Sequence, residues 1–285
     1  MKKWRMVVCV LLTVALLALC IPQLPRVTAA AVASGICGDN LRWTLDSEGT
    51  LTVSGTGEMY DYNLDAPWYE YRESIKKVEL QSGVTTVGVS AFMECSALKT
   101  VELPATVKEI HASAFAFCGM TEVELPANLV SLGSEAFAHC TQLATIEVPD
   151  SLRQLGVAAF AETAWENNMP FGPVYIGKML YVYKGTAPES LTIQEGTLAI
   201  ADNALNGQPV LKEIKLPSTL QRIGFEAFFK CTGLTAVELP ESVTHIDSSA
   251  FVQCYALASV TVPDSVVYIG TQGLPPADAQ ACRHP

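Results

Sequence analysis

The sequence predicts an α/β solenoid rich in short strands, wound in coils of 22–23 residues behind a β-rich N-terminal cap. Three observations predict it. First, Ala-Phe-x-x-Cys recurs at 91–95, 114–118, 136–140, 227–231 and 250–254, with weaker copies at Ala159-Phe160, where Thr163 takes the cysteine position, and at Ala204-Leu205. The steps from Ala91 to Ala159 are 23, 22 and 23 residues, and those from Ala204 to Ala250 are 23 each, a period that marks stacked repeats. Second, an alternating apolar-polar run closed by proline keeps the same phase, as in Val101-Glu102-Leu103-Pro104, Val123-Glu124-Leu125-Pro126, Ile146-Glu147-Val148-Pro149, Ile214-Lys215-Leu216-Pro217, Val237-Glu238-Leu239-Pro240 and Val260-Thr261-Val262-Pro263. Alternation places one side chain in two on the core, and proline cannot extend a ladder, so each run reads as one short parallel strand. Third, 49% of the 285 residues are hydrophobic and only 16% are charged, which is too apolar for a disordered chain.

The elements follow in order. Residues 1–33 read as a signal peptide, with basic Lys2, Lys3 and Arg5, an apolar run Met6–Ile21 and small residues up to a cleavage point after Ala33. At 16 residues the apolar run falls short of the ~20 that span a bilayer, so no membrane span is expected after cleavage. Residues 34–75 form the cap, whose Tyr60, Tyr62, Trp68, Tyr69 and Tyr71 either cover the solenoid end or offer a carbohydrate-stacking platform. Coils occupy 76–163 and 191–270. Each carries a third apolar landmark, such as Val107…Ile110 or Leu220…Ile223, that turns the chain back. Between the two sets, 164–190 is a hairpin insertion, with β-favouring runs flanking Gly177-Lys178 and expected to interrupt or protrude from the solenoid. Its Trp165, Phe171, Tyr175, Tyr181 and Tyr183 are candidate partner anchors, since amphipathic aromatics concentrate binding energy; alternatively they patch the join between the two sets of coils. In the tail, 271–285, Gly273-Leu274 replaces Ala-Phe and Pro275-Pro276 stops the coil, which reads as a frayed or truncated end.

These landmarks resemble the BspA-type leucine-rich-repeat family, whose unit runs roughly Leu-x-x-Val-x-Ile-Pro-x-x-Val-x-x-Ile-Gly-x-x-Ala-Phe-x-x-Cys. The resemblance covers about residues 76–270, and the stretch from Ser34 through Trp43, Gly49–Gly57 and Trp68 is similar to the β-rich segment that often precedes such repeats. It implies a right-handed leucine-rich-repeat superhelix and a bacterial secreted or cell-surface recognition protein of adhesion type.

Charge and chemistry narrow the function. A net charge of −11 with no Lys/Arg-rich stripe disfavours nucleic acid. Stacked in register, Glu79, Glu102, Glu124 and Glu147 form an acidic ladder at the ~4.8 Å strand spacing; it is either a solvated face or a docking surface for a basic protein. Lys215 interrupts the series and Glu238 resumes it. With no Asp-rich loop, a calcium site is not expected. Five cysteines share one repeat position and read as small buried thiols, not disulfides, because parallel side-chain vectors suit bridging poorly. No nucleophile elbow, zinc-protease, phosphate-loop or dinucleotide motif occurs. His139 beside Cys140 is a weak metal-like grouping. The expectation is a non-catalytic extracellular protein-binding module without cofactor or metal, with polysaccharide binding as the alternative.

Overall fold

No coil of this chain buries enough on its own to be stable, so its order comes from what each coil hands to the next. The computed structural model describes residues 29–275. The unit that begins at Ala31 holds all the strands. Residues 1–28 of the predicted signal peptide lie outside the described residues, and Ala31–Ala33 open the first strand.

That strand, β1 (Ala31–Gly38), pairs antiparallel with β2 (Leu41–Asp46), which pairs antiparallel with β3 (Thr50–Gly55). The direction then changes. β3 lies parallel to β4 (Lys77–Leu80), setting Leu51 against Val78, so the antiparallel segment continues directly into the sheet of the coils. Each coil next supplies a longer and a shorter strand. The pairs are β4 with β5 (Thr86–Val87), β6 (Thr100–Glu102) with β7 (Glu109–Ile110), β8 (Glu122–Glu124) with β9 (Ser131–Leu132), and β10 (Thr145–Glu147) with β11 (Gln154–Leu155). The longer strands pair in parallel β3-β4-β6 and β8-β10, and the shorter ones form their own parallel row β5-β7-β9-β11.

The third side of the coil carries Ala-Phe-x-x-Cys. The phenylalanines are fully buried and stack: Trp68 on Phe92 at 5.3 Å, Phe92 on Phe115 and Phe115 on Phe137 at 5.2 Å, and Phe137 on Phe160 at 5.8 Å. The backbone here alternates its donors. Ser90, Phe92 and Glu94 donate to Ala112, Ala114 and Ala116 of the next coil, while Ala91 and Met93 donate back within the turn. The alternation requires left-handed φ just before each alanine and again two residues after each phenylalanine, as at Ser113 and Phe117 or Glu135 and His139, none of them glycine. Such residues cost about 1 kcal/mol or more each, which the ladder between coils offsets. Glycine is needed instead after the short strand: a Cβ on Gly133 would stand 2.5 Å from the backbone nitrogen of Ala112.

The pattern breaks after Phe160. Thr163, in the cysteine position, donates its hydroxyl to Phe160 O at 2.8 Å and accepts from Glu166 N at 3.1 Å, which caps the one-turn helix α1 (Ala164–Asn167). The chain then forms the hairpin β12 (Gly172–Ile176) and β13 (Met179–Lys184), with Gly177 at φ 53° in the turn. It interrupts the solenoid without protruding from it. β13 lies parallel to β15 (Ala199–Ile200) and so becomes the first short strand of the second set of coils. That set comprises β14 (Ser190–Thr192) and β15, β16 (Glu213–Lys215) and β17 (Arg222–Ile223), β18 (Ala236–Val237) and β19 (His245–Ile246), and finally β20 (Tyr268–Ile269). Leu205, Phe228, Phe251 and Leu274 hold the aromatic position, all buried, with Phe228 and Phe251 stacked at 5.0 Å.

Candidate functional site

The long strands turn one residue in two away from the core, and over β6, β8 and β10 those outward positions hold Thr100, Glu102, Glu122, Glu124, Thr145 and Glu147. Register makes the carboxylates neighbours: Glu79 lies opposite Glu102, and Glu124 opposite Glu147. The ladder is not uniform. Lys77 reaches Glu79 at 2.5 Å and Glu102 at 2.7 Å, so the ladder's N-terminal end shares one cation between two carboxylates, and Glu79 is half-buried. Glu122, Glu124 and Glu147 are exposed and form no ion pair among the described residues. They line an open trough of about 550 Å³ whose cation, Lys99, is held by Gly119 O at 2.8 Å and Gln142 Oε1 at 3.3 Å. Glu122 belongs to this face and was missed in the sequence, because it precedes the Val-Glu-Leu-Pro landmark by one residue. In the second set the face is mixed, with Glu213, Lys215 and Glu238 around a similar trough.

The hairpin aromatics part company. Tyr181 is 4% exposed, packed edge-on against Phe160 at 5.9 Å, and its hydroxyl donates to Glu166 Oε1 at 2.6 Å and accepts from Phe160 N. Burial first, and then the Glu166 carboxylate, push its phenol well above the ordinary range. It is therefore a core residue and not a partner anchor: with no further phenylalanine to cover Phe160, Tyr181 closes the stack. Trp165 is half-buried edge-on to the same ring at 5.3 Å, and Tyr175 is half-buried with its hydroxyl accepting from Gln194 N at 2.9 Å. Tyr183 is half-buried, and its N–H donates to Ala204 O, the bond that repeat phenylalanines make elsewhere. Phe171 alone stands out, 84% exposed with Lys184 5.9 Å from its ring. Lys184 itself is held by the carbonyls of Glu166, Asn167 and Met169 at the end of α1.

Of the N-terminal aromatics, Trp68 is likewise spent on structure, while Tyr60 is 46% exposed. Trp68 is 1% exposed, so it cannot serve a stacking platform; it starts the phenylalanine stack and donates Nε1–H to Ala91 O at 2.7 Å. Tyr60 bonds Asp39 at 2.7 Å, and Tyr69 bonds Glu94 at 2.9 Å.

The described cysteines and histidines make mostly structural contacts. Six cysteines are buried and unbridged among the described residues. The thiols of Cys118, Cys140, Cys231 and Cys254 donate to Phe92 O, Phe115 O, Leu205 O and Phe228 O at 3.1–3.2 Å, tying each coil to the one before it. Burial pushes Cys95 and Cys254 up to about 12 and Cys231 up to about 11. His139 bonds Glu162 at 2.9 Å and stacks on Phe117, away from any cysteine cluster. Among the described residues no group of three or more His, Cys, Asp or Glu is placed to hold a metal ion, and no helix is long and apolar enough to cross a membrane.

Comparison with known proteins places this architecture. No curated protein sequence matches the chain. Among solved structures it is similar to a leucine-rich repeat protein from Eubacterium ventriosum, with 18% identity over 86% of this chain and 94% of that one and a TM-score of 0.40. It is also similar to the pneumococcal vaccine antigen PcpA, with 18% identity over 85% and 78% and a TM-score of 0.36. A third is a leucine-rich cell surface protein from Faecalibacterium prausnitzii, with 19% identity over 86% and 96% and a TM-score of 0.29. The model of the BspA-type leucine-rich repeat region matches in 6 copies over residues 64–173 and 174–274. The match spans well over half of the chain, in phase with the strands and the buried phenylalanines, and the chain belongs to the BspA-type leucine-rich repeat family.

Proposed function

We propose that this protein is a non-catalytic recognition module working outside the cell, with the acidic face of β6, β8 and β10 docking a basic region of a protein partner. The observation that carries the reading is the trio Glu122, Glu124 and Glu147, exposed, adjacent and without an ion pair among the described residues over an open trough, beside Glu79 and Glu102, which share Lys77. Like charges this close destabilise a sheet, and a cationic partner relieves that repulsion. A preformed rigid face also loses little entropy on docking. Phe171 supplies the one largely exposed ring among the hairpin aromatics. The basic stretch and apolar run at the N-terminus support export.

The test is a binding screen of the chain, from residue 34 onward, against immobilised extracellular-matrix and mucin proteins at two salt concentrations, with the triple variant Glu122→Gln, Glu124→Gln, Glu147→Gln alongside. A saturable interaction that weakens with salt and falls in the variant is expected. Equal binding by the variant, or the same affinity at both salts, would overturn the assignment of this face.

A further inference from the structure

The row of short strands is split between β11 and β13, which share no ladder, and a groove of about 500 Å³ opens there and runs along the second row. Its floor is apolar, from Leu152, Met179, Leu198 and Ala199. Its walls reverse the charge of the rest of the molecule. Arg153, Lys178, Arg222 and His245 line it, against one acid, Asp247. Asp247 is already committed, receiving both Nε and a terminal nitrogen of Arg222 at 2.8 and 2.5 Å. Arg153 and Lys178 are exposed and form no ion pair among the described residues. Backbone carbonyls of Asp150 and Leu152 hold the Arg153 guanidinium in place. Asp202, beneath the groove, spends its Oδ1 on Phe225 N. In a chain of net charge −11, Arg153 and Lys178 thus place side by side two cations with no ion-pair partner among the described residues.

We infer that this groove binds a linear acidic polysaccharide, whose carboxylate or sulfate groups meet Arg153 and Lys178 and whose sugar rings continue toward Tyr268. Length fits a polymer. From β13 to β20 the row takes four strand spacings, about 19 Å, across β15, β17 and β19. Chemistry separates a glycan from an acidic peptide. From β13 to β19 every strand is hydrogen-bonded on both sides, and the free edge at the split is that of β11, which at two residues is too short for a peptide strand to add to. Recognition falls to side chains: the amides of Gln154 and Gln221 and the hydroxyl of Thr244 suit ring hydroxyls, and Tyr268, exposed beside His245 at 5.9 Å, offers a face for a sugar ring. The site is separate from the acidic strand face and does not rest on the reading of that face.

The experiment measures binding of the chain to polygalacturonate oligosaccharides, heparin oligosaccharides, neutral dextran and poly-glutamate of matched charge, for the unmodified protein and for Arg153→Gln/Lys178→Gln. Binding of one or both acidic glycans and not dextran is expected, with a loss of about tenfold or more in the double variant, as two charge-assisted contacts disappear. The two glycans report whether carboxylates alone suffice or sulfate, which heparin adds to its carboxylates, is needed. Tyr268→Ala is expected to weaken the glycan without altering its salt dependence. Both variants change exposed side chains, and an unchanged thermal unfolding curve checks that each has folded. Glu122→Gln/Glu124→Gln is expected to leave glycan binding intact, which separates this site from the protein-docking face. No glycan binding, undiminished binding by the double variant, or poly-glutamate binding as tight as the glycans would each overturn the proposal.

Discussion

At the scale of single residues, the stack of rings is the most cooperative feature of the molecule. Phe137 is fully buried between Phe115 and Phe160, and no neighbour can move in without breaking its own ladder. Phe137→Ala should cost ~3–5 kcal/mol, the usual penalty for emptying an aromatic site, read as a lower midpoint in urea unfolding. Asp202 works in the opposite sense. Burial raises its carboxyl above the ordinary value, and Asp247 adds to this, against the hydrogen bond from Phe225 N and the attraction of Arg222. An acid whose folded pKa is raised contributes stability while protonated, below its unfolded pKa, and loses that contribution as pH rises through the folded value. Asp202→Asn should therefore be more stable than the parent at pH 7, because an amide oxygen can still accept from Phe225 N. The gap should close as pH is lowered through the Asp202 titration in parallel thermal melts.

At the scale of elements, α1 and the hairpin are where the repeat is rewritten. Thr163 ends one coil and begins the helix with the same hydroxyl, fully buried. Thr163→Val keeps the shape and removes both bonds, so a loss of ~1–2 kcal/mol is expected in chemical unfolding. Tyr181, read from sequence as either a partner anchor or a patch at the join between the two sets of coils, lies against Phe160. Tyr181→Ala should cost ~3–5 kcal/mol in stability, whereas Phe171→Ala, at an exposed ring, should leave unfolding nearly unchanged. Equal effects of the two variants in a thermal melt would contradict this placement.

At the scale of the whole molecule, stability is carried from coil to coil by three parallel systems: the strand ladders, the aromatic stack and the thiol bonds. The hydrogen bond with Cys118 holds Cys140 below its ordinary value, whereas burial raises the thiols of Cys95, Cys231 and Cys254, so the folded protein favours the protonated form of these three. That contribution is complete below the unfolded value near 9 and is lost as pH rises toward about 11 to 12. Maleimide labelling at pH 8 with peptide mass mapping should leave Cys95, Cys118, Cys140, Cys231 and Cys254 unmodified until denaturant is added. Unfolding should become easier above pH 9. Labelling of the native protein at these positions would show that the coils open individually.

The period, the strand phase and the buried phenylalanines were legible in the sequence because each is a local pattern repeated many times. Alternation, proline and a fixed step determine which side of a coil a residue faces, whatever lies on the next coil. The carboxylate pairs Glu79–Glu102 and Glu124–Glu147 were legible for the same reason, but the continuous ladder expected from sequence is interrupted between them, where β6 and β8 share no ladder. What only the tertiary structure decided depends on neighbours distant in the chain. Lys77 pairs with the two carboxylates at one end, whereas Glu122, Glu124 and Glu147 form no ion pair among the described residues. Tyr181 and Trp68 complete a stack of rings that no local pattern assigns to them. The split between β11 and β13 gathers Arg153 and Lys178 into one groove, a juxtaposition that no repeated landmark specifies. Periodicity records which way a side chain points; only the stacking of coils determines what stands opposite it.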